Sequence, residues 1–240
     1  MVTRTSVRRL AAFSWIAFSA VAIAVLAVLP YMTDSLAGLS HQDSQLATNY
    51  ATRPGWARGA FYVHVVCGGL ALLLSPLQFA ARVRRRAPRL HRYTGRIVIA
   101  AIVLGGTAGA VLAPMSLAGP VGTAGFGTLA VLWVVFAVAA VRTARAGDLT
   151  AHRRWAVRTF AMTYAAVTLR LWLLVLVPLF HTDGVTEPEA FLRAYVIVPF
   201  LCWVPNLLVA DVVVRRMLPV ASRGRDRAPV QNVDMVNPGV

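Results

Sequence analysis

No lysine occurs in this chain, and nine carboxylates are all that offset its 24 arginines. The formal net charge of +15 therefore comes from arginine alone. A basic balance of this size suggests nucleic acid. Here the arginines fall in blocks between apolar runs, where membrane topology accounts for them, so nucleic acid is not an expected partner. Cysteine is nearly missing as well. Cys67 and Cys202 both lie inside apolar runs, without CxxC spacing, which argues against a disulfide framework or a zinc site. There is no Gly-rich phosphate loop, no HExxH and no GxSxG. A proton-coupled pump would lack its usual acid, since Asp211 is the single carboxylate inside an apolar run.

What the chain has instead is hydrocarbon. Of its 240 residues 58% are hydrophobic and 14% charged, and the mean hydropathy is +0.65. That is too apolar for a soluble domain and matches a polytopic helical membrane protein. Six apolar runs predict six transmembrane helices, at about 10–29, 59–81, 97–113, 125–141, 156–178 and 191–214. The third helix starts at 90 or at 97. The first run is about twice the length of a signal-peptide core, which favours an uncleaved span. The expected fold is an all-α integral membrane protein forming a single domain over 1–218. Spans two to five form a four-helix bundle at about 59–178, and spans one and six are peripheral. A tail at 219–240 is expected to be disordered.

Orientation follows from arginine. The amino end, the turns 82–96 and 142–158 and the tail are arginine-rich, and the three other loops are not. Both termini are therefore expected in the cytoplasm, of a bacterial inner membrane by the GC-rich residue usage, with the lipid bilayer as first partner.

Residues spaced alternately four and three apart share a helix face. On span two that face reads His64, Gly68, Ala71, Ser75, Gln78, Arg82. On span three it reads His91, Gly95, Val98, Ile102, Gly105, Gly109. On span five it reads His152, Ala156, Thr159, Thr163, Ala166, Arg170. Each stripe is small or polar with a histidine at one end. Small stripes are packing seams in lipid, which accounts for the small residues better than for the polar ends. Arg170 lies well inside its span, where an arginine snorkels, meets water or binds an anion. His64 lies at a similar depth, so His64 and Arg170 are expected to share an outer-leaflet pocket, with Gln78 on the same face.

His91 and His152 each open an odd-numbered span at the arginine-rich side. In a four-helix bundle those spans lie on a diagonal. Two imidazoles facing each other there are what a bis-histidine haem b requires, both ligating the haem iron. Arg92, Arg96, Arg153 and Arg154 are candidate partners for the propionates. The competing reading is that these His-Arg pairs contact lipid phosphate.

The segments HVVCGGLALLLSPLQF, HRYTGR and HRRWAVRTFAMTYAAVTLRL, between His64 and Leu171, resemble the bacterial predicted membrane proteins grouped as domain of unknown function 2306. A more distant likeness is to di-haem transmembrane cytochromes b of the ascorbate-reductase type, which carry histidines on four successive bundle helices. His64, His91 and His152 match three of those positions. Span four has no histidine, so that likeness implies one haem at most. The leading expectation is a membrane redox protein with haem at His91 and His152 and an outer pocket for a quinone or other electron partner. The alternative is a non-redox protein that binds or transports an anionic or amphipathic small molecule through His64 and Arg170.

Overall fold

In hydrocarbon a backbone must satisfy its own polar groups, and a helix does this within one segment. The computed structural model describes residues 4–42 and 44–217, and no strand occurs among them. Asp43 and the expected disordered tail at 219–240 lie outside the described residues. The helices are α1 (Arg4–Thr33), α2 (Leu36–Ser40), α3 (Gln45–Ala51), α4 (Gly55–Phe79), α5 (Ala81–Arg86), α6 (Pro88–Leu112), α7 (Gly119–Arg145), α8 (Leu149–Phe180), α9 (Glu187–Leu201) and α10 (Val204–Arg216). Among the described residues six segments are long and apolar enough to cross a membrane: Leu10–Thr33, Gly55–Phe79, Pro88–Met115, Gly119–Arg145, Leu149–Phe180 and Glu187–Arg216. Their 24 to 32 residues correspond to about 36–48 Å of helix, against a hydrocarbon core of about 30 Å.

The helices overrun the apolar runs into the arginine turns. Pro88 starts α6, where its missing N–H costs nothing. Asp148 caps α8 by accepting from the Ala151 N–H at 2.8 Å. As a result His91 and His152 are each the fourth residue of their helix, counted from Pro88 and Leu149.

α4 packs along α6, α6 along α7 and α7 along α8, and α8 also touches α4. Glycine sets the α4–α6 approach. A Cβ on Gly105 would stand 3.1 Å from the Cys67 Cβ and 3.4 Å from the Gly68 nitrogen. The three small stripes face inward, with Ala71, Ser75, Val98, Ile102, Thr159 and Thr163 all buried.

The sixth span differs from the expected continuous, peripheral helix. It breaks at Cys202 and Trp203 between α9 and α10, with Pro199 before the break and Pro205 after it. Proline supplies no N–H and opposes the preceding turn. Asn206 donates to the Ala161 carbonyl, the Thr168 hydroxyl and the Cys202 carbonyl at 3.0–3.3 Å, satisfying groups at the break. Cys202 is fully buried and belongs to the main core with Trp203, Met162 and Ile102. The region 33–58, between the first two spans, contains α2 and α3, capped by the hydroxyls of Ser35 and Ser44. Asn49 donates to the Met115 carbonyl at 2.9 Å and ties α3 to the turn after α6.

Candidate functional site

Two cavities meet at Arg170. The inner one, about 230 Å³, lies among α4, α6, α7, α8 and α9 at the arginine-poor end. His64 and Arg170 both line it. His64 is the tenth residue of α4 and Arg170 stands ten residues before the end of α8, so both lie roughly 14–15 Å inside their helices.

The His64 ring is fixed by its surroundings. Its Nδ1 lies 2.8 Å from the Gly105 carbonyl oxygen, an acceptor, so Nδ1 carries the hydrogen and Nε2 is the remaining polar atom. Gly109 makes room for the ring, because a Cβ there would stand 2.8 Å from Nδ1 and 3.0 Å from Cε1. The inward glycine stripe of α6 thus seats a histidine as well as a helix.

Arg170 donates from Nη1 to the Ala166 carbonyl of its own helix at 2.8 Å. No carboxylate lies within ion-pair distance of it among the described residues, and none of those lining either cavity is acidic. Its company is phenolic: Tyr31, Tyr50 and Tyr195 line the inner cavity. Tyr31 meets Phe61 edge to face and Tyr50 packs tilted against it, with ring centroids 5.0 and 4.7 Å away, forming an aromatic cluster with α3. On the other side Trp133 Nε1 donates to the Thr163 hydroxyl at 2.9 Å. That hydroxyl in turn donates to the Thr159 carbonyl. The outer cavity, about 340 Å³, lies between α1 and the α2–α3 segment, and Arg170, Tyr31 and Leu46 line both spaces.

Gln78 is not part of this site. It lies 14 residues along α4 from His64, roughly 21 Å. It donates to the Thr94 hydroxyl at 2.7 Å, and Gly95 leaves space for its carbonyl oxygen. The shared helix face was legible, but the two residues serve opposite ends of it. Sequence reasoning missed Tyr31, Tyr50, Tyr195, Trp133 and Thr163 as cavity residues. The signal available for Tyr50 was Ser44, a capping residue that starts α3.

At the arginine-rich end, His152 Nδ1 donates to the Ala140 carbonyl at 2.8 Å, which leaves its Nε2 free. His91 Nδ1 is buried and has no hydrogen-bond partner. α6 and α8 make no extensive backbone contact, since α4 and α7 stand between them. Arg92, Arg96 and Arg153 are exposed. Arg154 is half-buried, with an unpartnered buried Nε. No group of three or more histidine, cysteine or acidic side chains suited to a metal ion occurs among the described residues.

A family model described as predicted membrane protein (DUF2306) matches residues 61–214. The match covers well over half of the chain, which therefore belongs to that family, and His64, His91, His152 and Arg170 all fall within the matched segment. No curated protein and no solved structure matches the chain.

Proposed function

We propose that this DUF2306 protein binds an anionic or amphipathic small molecule in the cavity shared by His64 and Arg170. The single observation that carries this reading is Arg170, a guanidinium in an apolar cavity with no carboxylate beside it among the described residues. A charge at that depth is retained at a cost and marks a functional site by default. Arginine offers a planar fork of donors suited to a carboxylate or a polarised carbonyl. His64 adds Nε2 with its ring orientation already set. The phenols of Tyr31, Tyr50 and Tyr195 add neutral polar contacts without competing charge. The same pocket suits a quinone head if the protein works in redox chemistry.

The reading includes an orientation: spans two to five form the central bundle, and the arginine-rich end and both termini face the cytoplasm of a bacterial inner membrane. The decisive test is substrate-dependent thermal stabilisation of the purified protein. Stabilisation by carboxylated amphipaths that disappears in Arg170→Ala supports the cavity. Stabilisation indifferent to Arg170 refutes it.

A second reading is a haem b held by His91 and His152. The observation in its favour is the pair of ring states. His152 is oriented by a carbonyl, the usual support behind a ligating imidazole, and His91 has a buried nitrogen in need of a partner. The two residues also share a register, fourth in α6 and fourth in α8. These donors fit the iron's needs, and Arg154 is the best-buried candidate for a propionate, ahead of the exposed Arg92, Arg96 and Arg153. Haem would supply one-electron transfer. Purified protein without a Soret band ends this reading. A band lost in both His91→Ala and His152→Ala supports it.

A further inference from the structure

We propose that the ligand of the His64–Arg170 cavity is a long-chain monocarboxylate, with its carboxylate on Arg170 and its chain in the outer cavity beneath α2 and α3. The inference rests on the cavity reading above and names its substrate class.

Two features select the class. Charge comes first. Arg170 is the sole cation lining either cavity among the described residues, and the other polar groups there are uncharged: phenols, hydroxyls, one imidazole, the Trp133 indole, the Cys202 thiol and the Gln42 amide. One guanidinium balances one negative charge, and no second cation lines either cavity among the described residues to stabilise a dianion. Shape comes second. The inner cavity, about 230 Å³, falls below the roughly 300–1,000 Å³ of small-molecule pockets, so it encloses a head and little more. The outer cavity adds about 340 Å³ on the far side of the same arginine. Leu26, Ala27 and Pro30 of α1, Leu39 of α2 and Leu46 of α3 give it its aliphatic lining, and Gln42 and Ser44 add two uncharged polar side chains. Leu26 is exposed on the outside of the helix assembly, which in a bilayer is the lipid side. An acyl chain would therefore pass from Arg170 between α1 and α2 toward lipid, exchanging one hydrocarbon environment for another. A short, fully polar anion would leave that second cavity unused.

The test is equilibrium binding of radiolabelled dodecanoate to the full-length protein in phosphatidylcholine nanodiscs. Saturable binding is expected, weakened at least tenfold in Arg170→Gln. Unlabelled octanoate should compete better than acetate, and methyl dodecanoate and dodecyl phosphate should compete poorly. Ala27→Phe, which fills the outer cavity, should weaken dodecanoate at least tenfold, whereas Val25→Phe on the exposed side of α1 should not. Acetate competing as well as octanoate overturns the chain route, as does unchanged dodecanoate affinity in Ala27→Phe. In both cases sensitivity to Arg170→Gln would leave the cavity reading standing. Preference for dodecyl phosphate overturns the monoanion assignment. Absence of saturable binding, or binding equal in Arg170→Gln, removes the cavity reading too. If Ala27→Phe does not fold, the chain-length series on the unaltered protein decides.

Discussion

Arg158 and Arg170 stand on the same helix, twelve residues apart, and are treated in opposite ways. Arg158 donates from Nε to the Asp211 carboxylate at 2.8 Å, with its guanidinium 5.2 Å from the Trp155 ring centre. Its charge is answered by a carboxylate of the protein itself, and the pair ties α8 to α10. Arg170 has a backbone carbonyl and phenols. One arginine belongs to the scaffold, and the other has no carboxylate beside it among the described residues, the feature on which the proposed ligand site rests. In a membrane protein this contrast discriminates better than burial or depth, because both residues are half-buried inside one span.

The largest effect that sharpens the contrast concerns ligand affinity. Arg170→Gln should lower the affinity for a carboxylated amphipath about 10- to 100-fold, equivalent to about 1.4–2.8 kcal/mol. It should not lower the melting temperature of the ligand-free protein, since it removes a charge that nothing neutralises. A large loss of apo stability in Arg170→Gln would break the comparison and make Arg170 structural. Next in size is Gly109→Ala. Its Cβ would meet the His64 ring at 2.8 and 3.0 Å, and such overpacking costs about 1–3 kcal/mol. Gly127→Ala is the control, because its Cβ would meet nothing nearer than 3.6 Å. Thermal unfolding of both variants in nanodiscs checks this. Equal behaviour would show that Gly109 does not seat the imidazole.

Asp211→Asn is expected to do the reverse of Arg170→Gln. It leaves Arg158 without its carboxylate, and stability should fall by about 1–2 kcal/mol, discounted because the two side chains are 24% and 38% exposed. Ligand affinity should stay within about twofold, as the pair lies roughly 18 Å of helix from Arg170. Asp211→Asn lowering ligand affinity as far as Arg170→Gln does would mean that the two arginines act as one unit.

How much of this was legible in the sequence depends on the distance over which a signal acts. Local periodicity is enough to mark six spans and to turn the His64, His91 and His152 stripes inward, because helix geometry relates residues a few positions apart. It is also enough to set Arg170 and His64 at matching depths. The ends of helices were less legible. Pro88 and Asp148 start helices inside arginine-rich segments that read as turns, so α6 and α8 reach further than hydropathy alone implies. Contacts between distant segments were not legible. The Asp211 partner of Arg158 is 53 positions away, and the tyrosines around Arg170 come from three separate regions of the chain. Gln78 shows the opposite failure: a shared face was mistaken for a shared site, because periodicity fixes angle around a helix and says nothing of which end a pocket occupies.

Trp133→Phe gives the smallest effect and bears on the space between the two arginines. Thr163 lies five residues after Arg158 and seven before Arg170, and Trp133 of α7 donates to its hydroxyl. Phenylalanine keeps most of the ring packing and removes the N–H. The Thr163 hydroxyl loses a donor but keeps its own bond to the Thr159 carbonyl, so the net cost should be about 1 kcal/mol. If the cavity floor is a separate structural layer, this loss appears equally with and without ligand, and it adds to that of Asp211→Asn within about 0.5 kcal/mol. A double variant less stable than the sum by more than that would show the scaffold arginine to be coupled through Thr163 to the cavity. Arg158 and Arg170 would then be two ends of one mechanism rather than two separate uses of the same side chain.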